Sequence, residues 1–130
     1  MYIRFVVHSR SKRSGKRKGI FAAMGEFSRL ETVGEEDFNK YREIADWFNS
    51  NFDMPGKFTR STKPHAKPKA ISWFKDSAKE YISRARELCE LFEKHGIAVE
   101  MVKTDRPGYI VYESDYQVVA EPYNDTSERI

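Results

Sequence analysis

The chain has one cysteine, Cys89, among 130 residues, so no disulfide can close within it. Zinc-ligand spacing is missing too. Besides that cysteine there are three scattered histidines, His8, His65 and His95, with no paired motif among them. No apolar run approaches the ~20 residues that a bilayer-spanning helix needs. Met1 to Val7 is apolar, but no basic region precedes it and no small-residue cleavage site follows it. It reads as a strand and not as a signal peptide. No internal repeat is visible. Together these absences predict a cytoplasmic domain with no membrane segment and no cofactor.

What is present suffices for a core. Hydrophobic residues make up 39% of the chain, aromatic residues 14% and charged residues 33%. That balance excludes global disorder, and a chain of this length buries roughly two-thirds of its surface on folding. One domain is expected over residues 1–122, with 123–130 a flexible acidic tail.

Charge is sorted along the chain. The formal net charge is only +3, yet residues 1–25 hold seven basic residues and no acid. Residues 26–53 hold eight acids against three bases, a local net of −5. Residues 54–75 are basic again without an acid, and 111–130 carry five acids against one base. Blocks of this kind give a bipolar molecule whose basic part attracts phosphates or an acidic protein surface.

Periodicity divides the chain into an α+β domain of order β-α-α-α-β-β-β. Residues 2–8 alternate as a strand, with Ile3, Phe5 and Val7 on one face and Tyr2, Arg4, Val6 and His8 on the other. Helical spacing of Ile20, Ala23, Met24, Phe27 and Leu30 predicts a helix over 19–30. A second helix is predicted over 35–52, where Phe38, Tyr41, Ala45, Phe48 and Phe52 share a stripe and Glu35, Glu36 and Asp37 suit its positive end. A third is predicted over about 69–95, from Ile71 through Phe74, Ala78, Tyr81, Ala85, Leu88 and Phe92. Gly96 is its left-handed cap, and His95 is a cation at its last turn. The remainder reads as three short strands, 98–104, 109–113 and 116–121, turning at Asp105-Arg106-Pro107-Gly108 and Ser114-Asp115. Joined by the first strand, they make a mostly antiparallel four-stranded sheet with helices packed on it.

Two basic, hydroxyl-rich segments run into predicted helix starts. The first carries Arg10, Lys12, Arg13, Lys16, Arg17 and Lys18; the second carries Arg60, Lys63, Lys67 and Lys69 around His65. Cations beside free helix N–H groups suit phosphate binding. The first segment is not a Walker A loop, because arginine occupies positions 10 and 17, where that motif requires glycine and a hydroxyl residue. If the fold joins the two segments, they form one anion-binding site, with Arg106 from the turn as a further cation. The bland alternative is two unrelated solvated loops.

Three functions follow from these residues. The first is a non-enzymatic module that binds an anionic partner, nucleic acid foremost, through the two basic segments. The second is a protein-interaction or regulatory module using an exposed sheet face or a dimer interface. The third is a small metal-independent phosphodiesterase or nuclease with His8 and His65 as acid and base. Tyr109, Tyr112 and Tyr116, with Tyr2 and Arg4, are candidates for a base-stacking platform, although tyrosine is also simply a good strand residue. Cys89, on the apolar stripe of the third helix, reads as a buried, inert thiol.

Two stretches, Thr62-Lys63-Pro64-His65-Ala66-Lys67-Pro68-Lys69-Ala70-Ile71-Ser72-Trp73-Phe74-Lys75-Asp76-Ser77-Ala78 and Arg106-Pro107-Gly108-Tyr109-Ile110-Val111-Tyr112-Glu113, resemble a group of small bacterial proteins of uncharacterised function. Those proteins also begin with a Tyr-Ile-Arg-Phe-like strand. The resemblance implies a bacterial, cytosolic, single-domain protein and carries no activity, ligand or site.

Overall fold

The computed structural model describes residues 1–10, 17–52 and 70–123. Its elements are β1 (Tyr2–Arg10), β2 (Arg17–Gly19), α1 (Ile20–Ser28), α2 (Glu35–Asn51), β3 (Ile71–Lys75), α3 (Lys79–Lys94), β4 (Glu100–Thr104), β5 (Tyr109–Glu113) and β6 (Gln117–Glu121). The fold is α+β, an antiparallel sheet of six strands with three helices packed on it.

β1 organises the sheet because both of its edges are used. Along one edge it pairs with β4, from Tyr2↔Thr104 to Val6↔Glu100. The other edge is divided: Tyr2 and Ile3 pair with Lys75 and Phe74 of β3, while Val6 and Arg10 pair with Gly19 and Arg17 of β2. Arg4 and Phe5 fall between those two partners. β3 continues to β6, and β6 to β5, which is an outer strand. Since β3 and β4 are both antiparallel to β1, they run parallel to each other. With α3 between them they form a split β-α-β unit around β1.

Alternation along the strands sends side chains into two apolar clusters. Ile3, Phe5, Val7 and Phe74 join the helices' buried faces, among them Phe27 of α1, Phe48 of α2 and Leu88 and Phe92 of α3. Phe21, Phe48, Phe52 and Phe74 make a ring network, continued by Tyr81 stacked on Tyr116 at 4.3 Å. On the opposite face Val6, Trp73, Val102 and Val118 form the second cluster, each 0–1% exposed. Burying one such large side chain stabilises the fold by about 1.5–3 kcal/mol. Among the described residues the buried Trp73 indole nitrogen has no hydrogen-bond partner, which offsets part of that gain. Gln117, fully buried between layers, donates from Nε2 to Ser72 Oγ at 2.8 Å.

Several expectations need correction. The third predicted helix, 69–95, is two elements: its first part is β3, and only Lys79–Lys94 is helical. Ile71, Phe74 and Ala78 fit a helical stripe by spacing, yet Ile71 and Phe74 occupy opposite faces of a strand. The run Ile71-Ser72-Trp73-Phe74 favours a strand, and pairing with both β1 and β6 outweighs the helical pattern. Arg17 and Lys18 belong to a short strand and not to a loop. The sheet has six strands where four were expected, and the last three are not one meander. β4 joins β1, while the β5–β6 hairpin joins β3.

Other features match their expectations. Gly96 has φ +88 at the end of α3, and Gly108 has φ +129 at the turn before β5. His95 caps α3 and bonds through Nε2 to Asp37 Oδ2 at 2.9 Å, while Lys94 lies 2.9 Å from the same oxygen. These contacts tie the end of α3 to the acidic first turn of α2. Tyr123, assigned to the tail, lies against Tyr109 with ring centroids 4.7 Å apart; 124–130 fall outside the described residues.

Candidate anion-binding site

The division of β1's edge opens a cavity of about 150 Å³. Its wall combines Phe5 of β1, Lys18 and Gly19 of β2, Phe21 near the start of α1, and Ser72 and Phe74 of β3. Arg4 also lines it. Ala70, immediately before β3, and Ala22 in the first turn of α1 line it as well.

Arg4 is the buried charge of this site. It is 7% exposed, its guanidinium donates to the carbonyl oxygen of Arg17, and it lies 5.9 Å from the centroid of the Trp73 ring. Gly19 passes beside it: a Cβ there would stand 3.6 Å from Arg4 Nε. Gly19 is also the N-cap of α1 and has no side chain with which to cap it. Ile20, Phe21 and Ala22 of its first turn line the cavity together with Arg4, and a helix N-terminus near a guanidinium favours negative charge.

The two basic segments adjoin this cavity in sequence. Lys18 is the last cation of the first segment and Ala70 follows the second, and both line the wall. Lys12, Arg13, Lys16, Arg60, Lys63, Lys67, Lys69 and His65 lie outside the described residues. Arg10 ends β1, paired with Arg17. Arg17 also bonds Glu100 at 3.1 Å, and that guanidinium holds the Glu100 carboxyl below its ordinary value. Lys18 meets Glu26 at 3.2 Å. These pairs offset part of the positive charge.

Other candidates lie elsewhere. Arg106 does not line the cavity; its guanidinium lies over Tyr123 at 5.2 Å. His8 is exposed on β1. The tyrosines do not form one platform. Tyr116 packs against Tyr81 and Phe52, Tyr109 against Tyr123, and Tyr2 against the second cluster. Cys89 is buried, and burial pushes its thiol up to about 12, so it is protonated at neutral pH.

The phenylalanines of the wall escaped the sequence reading, and Arg4 entered it only as part of a base-stacking platform and not as an anion-binding residue. The available signal was Arg4 itself, a charge between Tyr2 and Val6 on an otherwise apolar strand face. A second, more open groove also went unnoticed. It holds about 440 Å³ between α3 and the β1–β4 pair, and Lys79, Arg86 and Lys103 line it.

Among the described residues no helix is long and apolar enough to cross a membrane, and no group of three His, Cys, Asp or Glu is placed to hold a metal ion. No family model matches the chain, and no curated protein or solved structure shows significant similarity to it.

Proposed function

We propose that this protein is a non-enzymatic module that binds nucleic acid through the cavity at the divided edge of β1 and the two basic segments that adjoin it in sequence. One arrangement supports the reading: Lys18, which ends the first segment, and Ala70, which follows the second, line the same cavity as the buried Arg4 and the first turn of α1. Cations beside a helix N-terminus favour a phosphate backbone, and the dispersed lysines of the two segments favour a chain of phosphates over a single one.

The test is fluorescence anisotropy with single- and double-stranded DNA and RNA at ~50 and ~200 mM salt. Binding should weaken steeply as salt rises. Replacing Lys67→Glu together with Lys69→Glu should weaken it across sequences and flatten the salt dependence, since each lost phosphate contact removes about 0.9 from the logarithmic slope. No binding at low salt rejects the reading.

A second reading, a protein-interaction module, draws support from the outer strand β5. Tyr109 and Ile110 are 56% and 40% exposed there, and an outer strand offers unpaired backbone groups to a partner. Size-exclusion chromatography across a concentration series tests its homodimer form. The phosphodiesterase reading needs His8 beside His65, and His65 lies outside the described residues, so no geometry supports that pair.

A further inference from the structure

The groove beside α3, which the reading above does not use, carries its charges in order of sign. It holds about 440 Å³ between α3 and the β1–β4 pair, with Lys79, Arg86 and Lys103 along it. A second hollow of about 270 Å³ shares Arg86 and Met101 with it, and there the charged side chains are Glu90 and Glu93. The two follow one side of α3 from Lys79 to Glu93, about 21 Å at the helical rise. Buried Ile3 and Ile82 and half-buried Met101 and Val99 supply apolar surface along the way. Cations thus occupy the end at the start of α3, and acids occupy the other.

These charges are not spent on one another. Among the described residues, none of Lys79, Arg86, Lys103, Glu90 and Glu93 is in an ion pair, whereas Arg17, Lys18, Lys75 and Lys94 each meet a carboxylate. Arg86 and Glu90 are one helical turn apart, but arginine on the N-terminal side is the weaker orientation for such a pair. The Arg86 guanidinium turns across the groove instead. It donates from Nη2 to Met101 Sδ at 3.6 Å and lies 5.8 Å from the centroid of the Phe5 ring. Asp76 also lines the cationic end, and the amino group of Met1 lies 3.6 Å from its carboxylate.

The order of sign selects the class of ligand. A chain of phosphates laid along the groove would run from the cations into Glu90 and Glu93, and like charges brought together oppose binding. A protein segment can carry both signs with an apolar side chain between them. β4 offers it a template: this strand pairs with β1 along one edge, and no described strand pairs with the other. A segment laid antiparallel on β4 starts beside Thr104 and Lys103 and finishes toward Glu100, at the acidic end of the groove.

We infer that this groove docks an extended segment of another protein, acidic at its N-terminal end, basic at its C-terminal end and apolar between, laid antiparallel on β4. The inference does not rest on the nucleic-acid reading, which uses other residues.

Two labelled peptides of about eight residues, enough to span the groove as a strand, test it by fluorescence anisotropy with the full chain. The first begins with two glutamates, has leucine and valine at its centre and ends with two lysines; the second reverses that order. The first should bind about tenfold more tightly than the second. Lys79→Glu with Lys103→Glu should weaken it by about tenfold or more, and so should Glu90→Lys with Glu93→Lys. All four side chains are exposed, so these changes spare the core. Making the four changes together should pass the preference to the reversed peptide, a result that a damaged fold does not give. Equal affinity of the two peptides for the unaltered chain, or no binding of either at about 1 mM, overturns the inference. Displacement of the first peptide by single-stranded DNA assigns the groove to phosphates and overturns it as well. None of these outcomes touches the nucleic-acid reading, whose own test uses Lys67 and Lys69.

Discussion

The guanidinium of Arg4 donates a hydrogen bond to the backbone carbonyl oxygen of Arg17, joining the middle of β1 to the start of β2. Through it, the strand that leads into α1 is anchored by a cation buried in the sheet. A planar guanidinium reaches several acceptors at once, whereas an ammonium presents a single point of charge. Arg4→Lys should therefore lower stability by about 1–3 kcal/mol despite keeping the charge, seen as a lower urea midpoint at an unchanged slope. An unaltered midpoint would show that the fork contributes nothing beyond its charge.

Gly108 and Gly25 should respond to alanine in opposite directions. Gly108 has φ +129, and a Cβ there would collide with the carbonyl oxygen of Glu121 where β6 ends. Both strain and collision oppose the substitution, so Gly108→Ala should cost about 3 kcal/mol or more. Gly25 lies inside α1, and a Cβ would meet only the flexible end of Arg29 at 3.4 Å. Gly25→Ala should stabilise by about 0.5–1 kcal/mol through helix propensity. Thermal melts of the two variants beside the parent chain decide both.

Acid should loosen the contact between α2 and α3. Hydrogen bonds from Lys94, and then from His95, hold the Asp37 carboxyl below its ordinary value of 3.8. A carboxyl depressed on folding contributes stability above its unfolded value and loses it as pH falls through the folded one. The same pair raises Lys94 above 10.5, a contribution present below that value and lost as pH climbs past the folded one. Asp37→Asn should remove both. Stability against pH should then be flatter in acid, below about pH 4, and in strong alkali, with the smallest change in slope between them. Urea titrations across pH on the variant and the parent chain check this, and parallel curves would exclude Asp37 as a source of the slope.

Local patterns carried much of the fold. β1, α2 and the β5–β6 hairpin were legible because each has a clear period or a turn residue with a single conformational job, such as Gly108. β3 was not, because the spacing of Ile71, Phe74 and Ala78 extends the helical stripe of α3, and what overrides it is pairing with β1 and β6. Strand order was equally hidden. Nothing local tells Glu100–Thr104 to join β1 and not the hairpin that follows. The candidate site was half legible. Composition marked the basic segments, but the cavity exists only because β2 and β3 take different parts of one edge of β1, and no window of sequence contains that fact.

The double pairing of β1 also bears on how the chain is made. This strand precedes the other described elements in the sequence, yet the partner that pairs with its first half along one edge, β4, extends to Thr104. On a ribosome, an apolar β-forming segment must therefore wait for most of the domain to emerge before its pairing is complete. Contacts so distant in sequence form slowly, and an unpaired strand of this composition invites association between nascent chains. Yield in cells should accordingly depend on chaperone supply more than the size of the domain would suggest. Fragments ending before β4 should be insoluble, even though they keep every helix.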